Sequence, residues 1–157
     1  MPALKLLTPF FLCLLSAVGE TKIFRKCQLF HILQAEGVEG YRGYSVGDWV
    51  CMAFFLSYYN SGKIGRQQVD SGRAYGIFQL KNMEYCDDGC RTSLNLCRTD
   101  CMYFLDDDLR DDIKCVKKII RTSRGLENWP VWKNHCKGRS LNTWTNCRSH
   151  GPWEVWG

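Results

Sequence analysis

The chain is 157 residues long, with ten cysteines, 24% charged residues and a formal net charge of +5. This length suits one domain with a hydrophobic core. The mild positive charge, without a dense Lys/Arg stripe, excludes a typical nucleic-acid-binding module.

A cleaved secretory signal is predicted at the N-terminus. Lys5 is the only charge in residues 1–19, and an apolar run extends from Leu6 to Leu15 before small residues close the segment. This order is typical of a signal peptide, whereas the run is too short for a retained membrane span. We therefore expect a secreted, extracellular chain that begins near Glu20 and carries 20 basic and 16 acidic residues.

Two helices are predicted in the first half of the mature chain. Apolar residues recur at helical spacing between Cys27 and Gln34, and Gly37 ends that segment. The aromatic and apolar density from Trp49 to Tyr59 predicts a buried helix, with Ser45 or Asp48 as its N-cap.

The second half mixes a small β region with further helices. Tyr75 to Leu80 predicts a strand, and the polar, Cys-rich stretch 81–99 predicts a loop. Asp111 to Ile120 predicts a helix with acids at its start and lysines near its end, as the helix dipole favours. Short helical pieces are expected at Trp129, Trp132 and Trp144, so the fold class is α+β. No later segment is apolar enough to span a membrane.

The cysteines indicate a disulfide framework. Nine remain once Cys13 is removed with the signal, and secreted chains of this kind are typically crosslinked. The spacing of Cys86 and Cys90, like that of Cys97 and Cys101, also suits zinc, but secretion favours disulfides. Because nine is odd, one thiol is left free, paired between chains or used as a redox site.

Several short segments resemble the C-type lysozyme and α-lactalbumin family. They are Tyr41–Ser45, Trp49–Cys51, Tyr75–Gln79, Cys115–Ile119 and Trp129–Trp132. Eight cysteines also fit the family's spacing. The resemblance implies a lysozyme-like domain over 20–147, a tail at 148–157, and a helical lobe beside a small antiparallel sheet. It also implies four disulfides: Cys27–Cys147, Cys51–Cys136, Cys86–Cys101 and Cys97–Cys115. Cys90 is then the extra thiol, close enough in sequence to compete with Cys101 for Cys86.

Both carboxylates that the family uses for glycoside hydrolysis are replaced. The resemblance places the proton donor five residues after the Cys of the second helix and the second carboxylate just before Tyr75-Gly76. Those positions hold Leu56 and Ala74, and the spacing needs no gap. Neither side chain can donate a proton or stabilise a cation. Other nearby acids, Asp48, Asp70 and Glu84, are expected on the surface, so no catalytic residue is assigned.

Part of the family's saccharide groove is retained. Gln79 and Trp129 match groove positions, and Tyr85 has a ring that can stack on a sugar, although core packing is the alternative for the tryptophan. Lys81 stands where a sugar-contacting Asn is common in the family. We therefore assign Gln79, Tyr85 and Trp129 as candidate substrate-binding residues.

A calcium site is predicted in Phe104–Ile113, which holds five aspartates. Ca²⁺ prefers such oxygen ligands, whereas an acidic helix start that stays solvated is the alternative. The segment resembles the calcium elbow of α-lactalbumin and of calcium-binding lysozymes. The resemblance implies Ca²⁺ held by the carboxylates of Asp106, Asp111 and Asp112 and the carbonyls of Tyr103 and Asp108, with Asp107 pointing away.

Three functions follow as hypotheses. The first is a non-catalytic, calcium-binding protein, a pseudoenzyme that binds a glycan, a protein or a microbial surface. The second is a weak antibacterial lysozyme that uses a displaced acid. The third is an α-lactalbumin-like regulator of a galactosyltransferase, favoured by Phe54 and Trp144 and disfavoured by Phe55 and His135, which replace that family's His and Leu. We expect a monomer, or a disulfide-linked dimer through Cys90.

Overall fold

The computed structural model of the protein describes residues 19–66, 72–90 and 92–148. The predicted signal peptide, apart from Gly19, and the predicted tail beyond Arg148 lie outside these residues. The described helices are α1 (Lys26–Ala35), α2 (Val46–Ser57), α3 (Arg110–Ile120), α4 (Pro130–His135) and α5 (Asn142–Thr145). None of them is long and apolar enough to cross a membrane. The strands are β1 (Ala74–Tyr75) and β2 (Leu80–Lys81), and short 3-10 helices cover Tyr41–Gly43, Cys101–Leu105 and Gly125–Asn128.

Helix α2 begins three residues earlier than its aromatic run indicates, because Ser45 caps it. The Ser45 hydroxyl accepts from the Asp48 backbone N–H at 3.3 Å. In return, the Asp48 carboxylate accepts from the Ser45 N–H at 2.9 Å. This reciprocal pair satisfies donors that the first helical turn leaves open. The helix ends at Ser57, and its C-cap Tyr58 has a left-handed backbone with φ of 50°.

Helix α2 is the centre of the core. Trp49, Val50 and Met52 are fully buried, and the helix packs against α1, α4 and α5. The Trp49 ring meets the Phe78 ring edge-to-face at 5.8 Å between centroids. Because neighbours cover several of its faces, α2 reads as continuously apolar rather than amphipathic. It therefore fixes the position of its last turn, which carries Leu56.

The predicted single strand from Tyr75 to Leu80 is wrong, because the segment is a hairpin. Strands β1 and β2 are antiparallel, with Ala74 opposite Lys81 and Tyr75 opposite Leu80. The turn needs left-handed backbone at Gly76, with φ of 78°. A side chain there would lie 2.1 Å from the Phe104 carbonyl, which leaves glycine as the residue that fits. Since Lys81 belongs to β2, the predicted loop starts one residue later.

The apolar residues of this turn explain the misleading strand pattern. Ile77 and Phe78 are fully buried. The Ser57 hydroxyl donates to the Ile77 carbonyl at 2.8 Å, and the Trp129 indole N–H donates to the Phe78 carbonyl at 2.9 Å. A turn pressed into the core must be apolar and must have its backbone groups bonded from outside, as these are. These contacts tie the hairpin to α2 and to the segment before α4.

The C-terminal tryptophans differ in their local structure. Trp132 lies in α4 and Trp144 in α5, as predicted. Trp129 instead precedes α4 as its N-cap, with extended backbone, so its assignment to a helical piece is wrong. Pro130 explains this boundary, since proline favours the first helical position and disfavours helical backbone in the residue before it.

Four disulfides crosslink the fold with the pairing that the resemblance implies. They are Cys27–Cys147, Cys51–Cys136, Cys86–Cys101 and Cys97–Cys115. The first closes a loop with a sequence separation of 120 residues, and long loops restrict the unfolded chain most in the entropic description. Cys90 is exposed and unpaired among the described residues.

Cys90 is expected to be the one reactive thiol of the folded, secreted chain. We predict that the native protein reacts with Ellman's reagent at about one thiol per chain, because the other mature cysteines are bonded to each other. Cys90→Ser should abolish this reaction and any dimer seen on non-reducing gels, without changing the melting temperature. Loss of stability in that variant would instead indicate that Cys90 belongs to the disulfide framework.

Candidate functional site

The two positions at which the family has its carboxylates lie on consecutive elements, α2 and β1. Leu56 is in the last turn of α2, and Ala74 is the first residue of β1; both are half-buried. Lys63 links the two elements. Its amine donates to the Leu56 carbonyl at 2.6 Å, and its own carbonyl accepts from the Gly76 N–H at 2.8 Å.

A pocket of about 540 Å³ opens beside Ala74. The side chains of Lys63, Arg66, Gln79 and Lys81 line it, and no carboxylate among the described residues does so. Where the family places an acid, this chain therefore has a methyl group, in a pocket that three cationic residues line. The described lining of this pocket therefore lacks the carboxyl groups that the family's reaction needs.

The described acids near this pocket, Asp48 and Glu84, do not replace the missing pair. Asp48 is used by the cap of α2, and it also accepts from the Trp132 indole N–H at 3.0 Å. Glu84 is exposed beside Tyr85, whose pKa is raised by burial first and by the Glu84 charge second. Asp70 lies outside the described residues. The described alternatives thus have other partners or face solvent.

The three candidate saccharide residues fall into two groups. Gln79 lines the pocket, but its amide already donates to the carbonyls of Gly76 at 2.9 Å and Lys63 at 3.2 Å. The rings of Tyr85 and Trp129 stack at 6.5 Å, and each side chain is less than a tenth exposed. Trp129 therefore has a clear packing role, and sugar contact by this pair stays a prediction.

Asp112 is the most unusual carboxyl group in the acidic segment. It is fully buried, and neither of its side-chain oxygens has a hydrogen-bond partner among the described residues. Burial raises its pKa well above the ordinary value, and the neighbouring carboxylates of Asp111 and Asp106 raise it further. A buried carboxylate without partners is costly unless a cation neutralises it. The Asp112 carboxyl group therefore has the surroundings expected of a metal ligand and not those of a solvated surface acid.

The other aspartates of the segment divide into two kinds. Asp106 and Asp111 each accept one backbone N–H bond, from Asp108 and Asp112 respectively, both at 3.0 Å. Burial raises the pKa of both groups. Asp108 instead pairs with Arg110 at 2.6 Å, which lowers its pKa to about 2. The Asp108 side chain is thus engaged, and its carbonyl is the group left for a metal.

The acidic segment does not form a ready metal cage in this structure. No group of three His, Cys, Asp or Glu side chains in the described ranges is placed to hold an ion. Tyr103, the remaining predicted ligand, lies in the 3-10 helix Cys101–Leu105, and its side chain is exposed. Its predicted ligand atom is the backbone carbonyl oxygen. The buried, unpartnered carboxylate of Asp112 favours a metal site, whereas the lack of a described cage of three ligands does not. A calcium ion at Asp112 would require the side chains of Asp106 and Asp111 to turn toward it.

Comparison with known proteins identifies the family. The model of the C-type lysozyme/alpha-lactalbumin family matches residues 22–147. This chain belongs to that family. Lysozyme C of Dromaius novaehollandiae is 38% identical over 139 residues, which cover 87% of this chain and 93% of that protein. Human sperm acrosome-associated protein 5 is 39% identical over 132 residues, which cover 83% of this chain and 82% of that protein.

Solved structures confirm the lysozyme fold. The holo-type structure of canine milk lysozyme matches with a TM-score of 0.78 at 37% identity, covering 82% of this chain and 99% of that one. The apo-type structure of the same protein matches with the same TM-score. The predicted α+β lysozyme fold, with its small antiparallel sheet and four disulfides, is therefore correct.

Two pocket residues, Lys63 and Arg66, are missed by sequence reasoning. They lie between α2 and β1 in a segment without periodicity or a family motif, so only the fold reveals that they approach Ala74. Lys81 carried a signal, since it stands where the family commonly has Asn.

Proposed function

We propose that this protein is a secreted, non-catalytic member of the lysozyme family that binds a saccharide in the pocket between the segment after α2 and the hairpin. The observation that supports this most is the pocket beside Ala74. Among the described residues, cationic and amide side chains line it and no carboxylate does. Hydrolysis of the family type needs two carboxyl groups across the scissile bond. A pocket that retains polar donors but lacks these groups supports binding rather than cleavage.

Secretion is supported by the disulfide framework. Structural disulfides are typical of oxidising compartments, and the N-terminal sequence has the order of a signal peptide. We infer an extracellular protein that acts as a monomer unless Cys90 joins two chains.

Calcium binding is the second part of the proposal. The buried, unpartnered carboxylate of Asp112 supports it, since Ca²⁺ would supply the neutralising charge. The carboxylates of Asp106, Asp111 and Asp112 and the carbonyls of Tyr103 and Asp108 would hold the ion. Its role would be structural, fixing the start of α3 to the loop before it. Canine milk lysozyme, which has apo-type and holo-type forms, gives a relative for comparison.

Two assays on the same preparation test the proposal. We expect no clearing of a bacterial cell-wall suspension under conditions in which canine milk lysozyme clears it. We also expect neutral or acidic chitotriose to shift NMR signals of the residues around Ala74. Clearing by this chain, absent from a heat-inactivated sample, would favour the weak-lysozyme hypothesis, while no response to any saccharide would refute glycan binding.

A second candidate function rests on an aromatic surface, defined here as Phe54, Phe55, Tyr58, His135 and Trp144. The ring centroids of Phe54 and Trp144 lie 5.2 Å apart, and the Phe55 ring stacks on the His135 ring at 4.3 Å between centroids. Tyr58 is 67% exposed. An exposed aromatic cluster suits a protein contact of the kind that an α-lactalbumin-like role needs, although Phe55 and His135 are the two positions that depart from that family. A lactose synthase assay with purified galactosyltransferase tests it, and stimulation would place this chain with the regulators.

A further inference from the structure

Three cationic residues line the pocket beside Ala74, and no described carboxylate lines it with them. Lys63 approaches from the segment after α2, Arg66 lies three residues further along, and Lys81 stands opposite Ala74 in the β1–β2 pair. All three side chains line the same pocket of about 540 Å³. Charges of one sign gathered in a cleft add their fields and raise the local concentration of counter-charged ligands.

These cations are not neutralised by the described part of the chain. Its ion pairs are Arg110–Asp108 and Lys137–Glu127, and neither involves the pocket. Like charges that line one pocket repel one another, so compensation by an opposite charge is favourable. An anionic ligand would supply that compensation at the place where the family has an acid.

The donors of the pocket suit a planar or tetrahedral oxyanion. The Lys63 ammonium has three N–H donors, of which the Leu56 carbonyl takes one at 2.6 Å, so two remain for a ligand. This bond also holds the amine in position. The exposed Arg66 guanidinium offers a fork of donors that matches carboxylate and sulfate oxygens. Ala74 contributes no charge that would repel such a group.

We propose that this pocket binds an acidic saccharide by its carboxylate or sulfate group. The inference rests on the proposed saccharide-binding function and names the class of ligand. The neutral part of the ligand would lie along the pocket, and the anionic group would contact Lys63, Arg66 and Lys81. Carboxylated and sulfated sugars share this chemistry, and the experiment separates them.

Calorimetric titration with three forms of one saccharide tests the proposal. The probes are neutral, sulfated and carboxylated chitotriose, with inorganic sulfate as a fourth. At least one acidic form should bind about tenfold more tightly than the neutral form, since charge-assisted hydrogen bonds are the stronger ones. This preference should weaken as salt is raised.

Variants locate the effect. Lys63→Gln, Arg66→Gln and Lys81→Gln combined should remove the preference for the acidic form. The matched control is the triple Gln variant of Arg98, Lys114 and Lys118, which line a different pocket and carry the same charge. It should keep the preference. Because Lys63 also bonds the Leu56 carbonyl, the double variant of Arg66 and Lys81 serves if the triple variant unfolds, and it should lower the preference severalfold.

The possible results are distinct. Equal binding of neutral and acidic chitotriose would overturn this inference while leaving the proposed saccharide binding intact. Binding of no saccharide would overturn both. Equal losses in the pocket and control variants would show a general charge effect and overturn the assigned site. Binding of inorganic sulfate as tightly as sulfated chitotriose would overturn the role of the sugar.

Discussion

Chelation of calcium should lower the melting temperature of this protein by about 10 °C. An ion that binds only the folded state stabilises it by about 4 kcal/mol when its concentration is a thousand times the dissociation constant. For a chain of this size, each kcal/mol corresponds to about 2–4 °C. Thermal melts followed by circular dichroism, with excess Ca²⁺ or with EDTA, measure the shift directly.

The size of this effect depends on Asp112. Its carboxylate is fully buried and has no hydrogen-bond partner among the described residues. Without a cation the group must stay protonated or carry an unpaired charge, and both cost stability at neutral pH. Since Asp106 and Asp111 add negative charge from the same segment, a divalent ion would neutralise several groups together.

Two variants separate calcium binding from general loss of stability. Asp112→Ala should abolish the EDTA-induced shift, because it removes the buried ligand. Asp107→Ala, at an exposed position in the same segment, should retain the shift. An unchanged wild-type melting curve with EDTA, or an equal response of both variants, would count against the assigned ligands.

The helices and crosslinks follow from local sequence more readily than the site does. Residues 49–59 predict α2 because its apolar density is continuous, and the cysteines pair as the family spacing implies. The strand predicted from Tyr75 to Leu80 is wrong, because Ile77 and Phe78 are buried residues of a turn. A buried turn has the same apolar sequence as a buried strand. The pattern of apolar residues indicates which residues are buried, and in this segment it does not indicate the backbone conformation.

The candidate site shows the same limit for a different reason. Absence of the two carboxylates is visible at single positions, Leu56 and Ala74, and the acidic elbow is one continuous segment. The residues of the cationic pocket are not contiguous in sequence: Lys63 and Lys81 line one pocket because the chain returns through the hairpin. The amine of Lys63 contacts Leu56 only in the folded chain, and no spacing rule places it there.

Reinstating both carboxylates should create only a weak glycosidase until Lys63 is also replaced. We expect Leu56→Glu combined with Ala74→Asp to clear cell walls slowly, and addition of Lys63→Met to raise the rate about tenfold or more. A positioned general acid contributes roughly 10²–10⁴-fold to such reactions, so a partly disabled one leaves a large gain available. Initial rates of clearing across a range of pH values measure both variants.

Lys63 is expected to disable the introduced acid through its charge. Its amine lies 2.6 Å from the Leu56 carbonyl and lines the pocket that contains Ala74. A neighbouring cation lowers a carboxyl pKa, whereas a general acid must keep its proton near neutral pH. A glutamate at position 56 would then be protonated only at low pH, so the double variant should work best in acid. Removing the Lys63 charge raises that pKa, and activity should extend to higher pH.

A charge elsewhere serves as the control for this effect. Lys114→Met, added to the two carboxylate substitutions, removes a cation that lines a separate pocket and should leave the pH profile unchanged. If the double variant already matches the Lys63→Met triple variant in rate and pH profile, the amine is not the obstacle. If all variants bind chitotriose and none clears, the loss lies in the groove. In that case the residues that orient the sugar differ from those of an active lysozyme, because the variants already supply both carboxyl groups and the protonated acid.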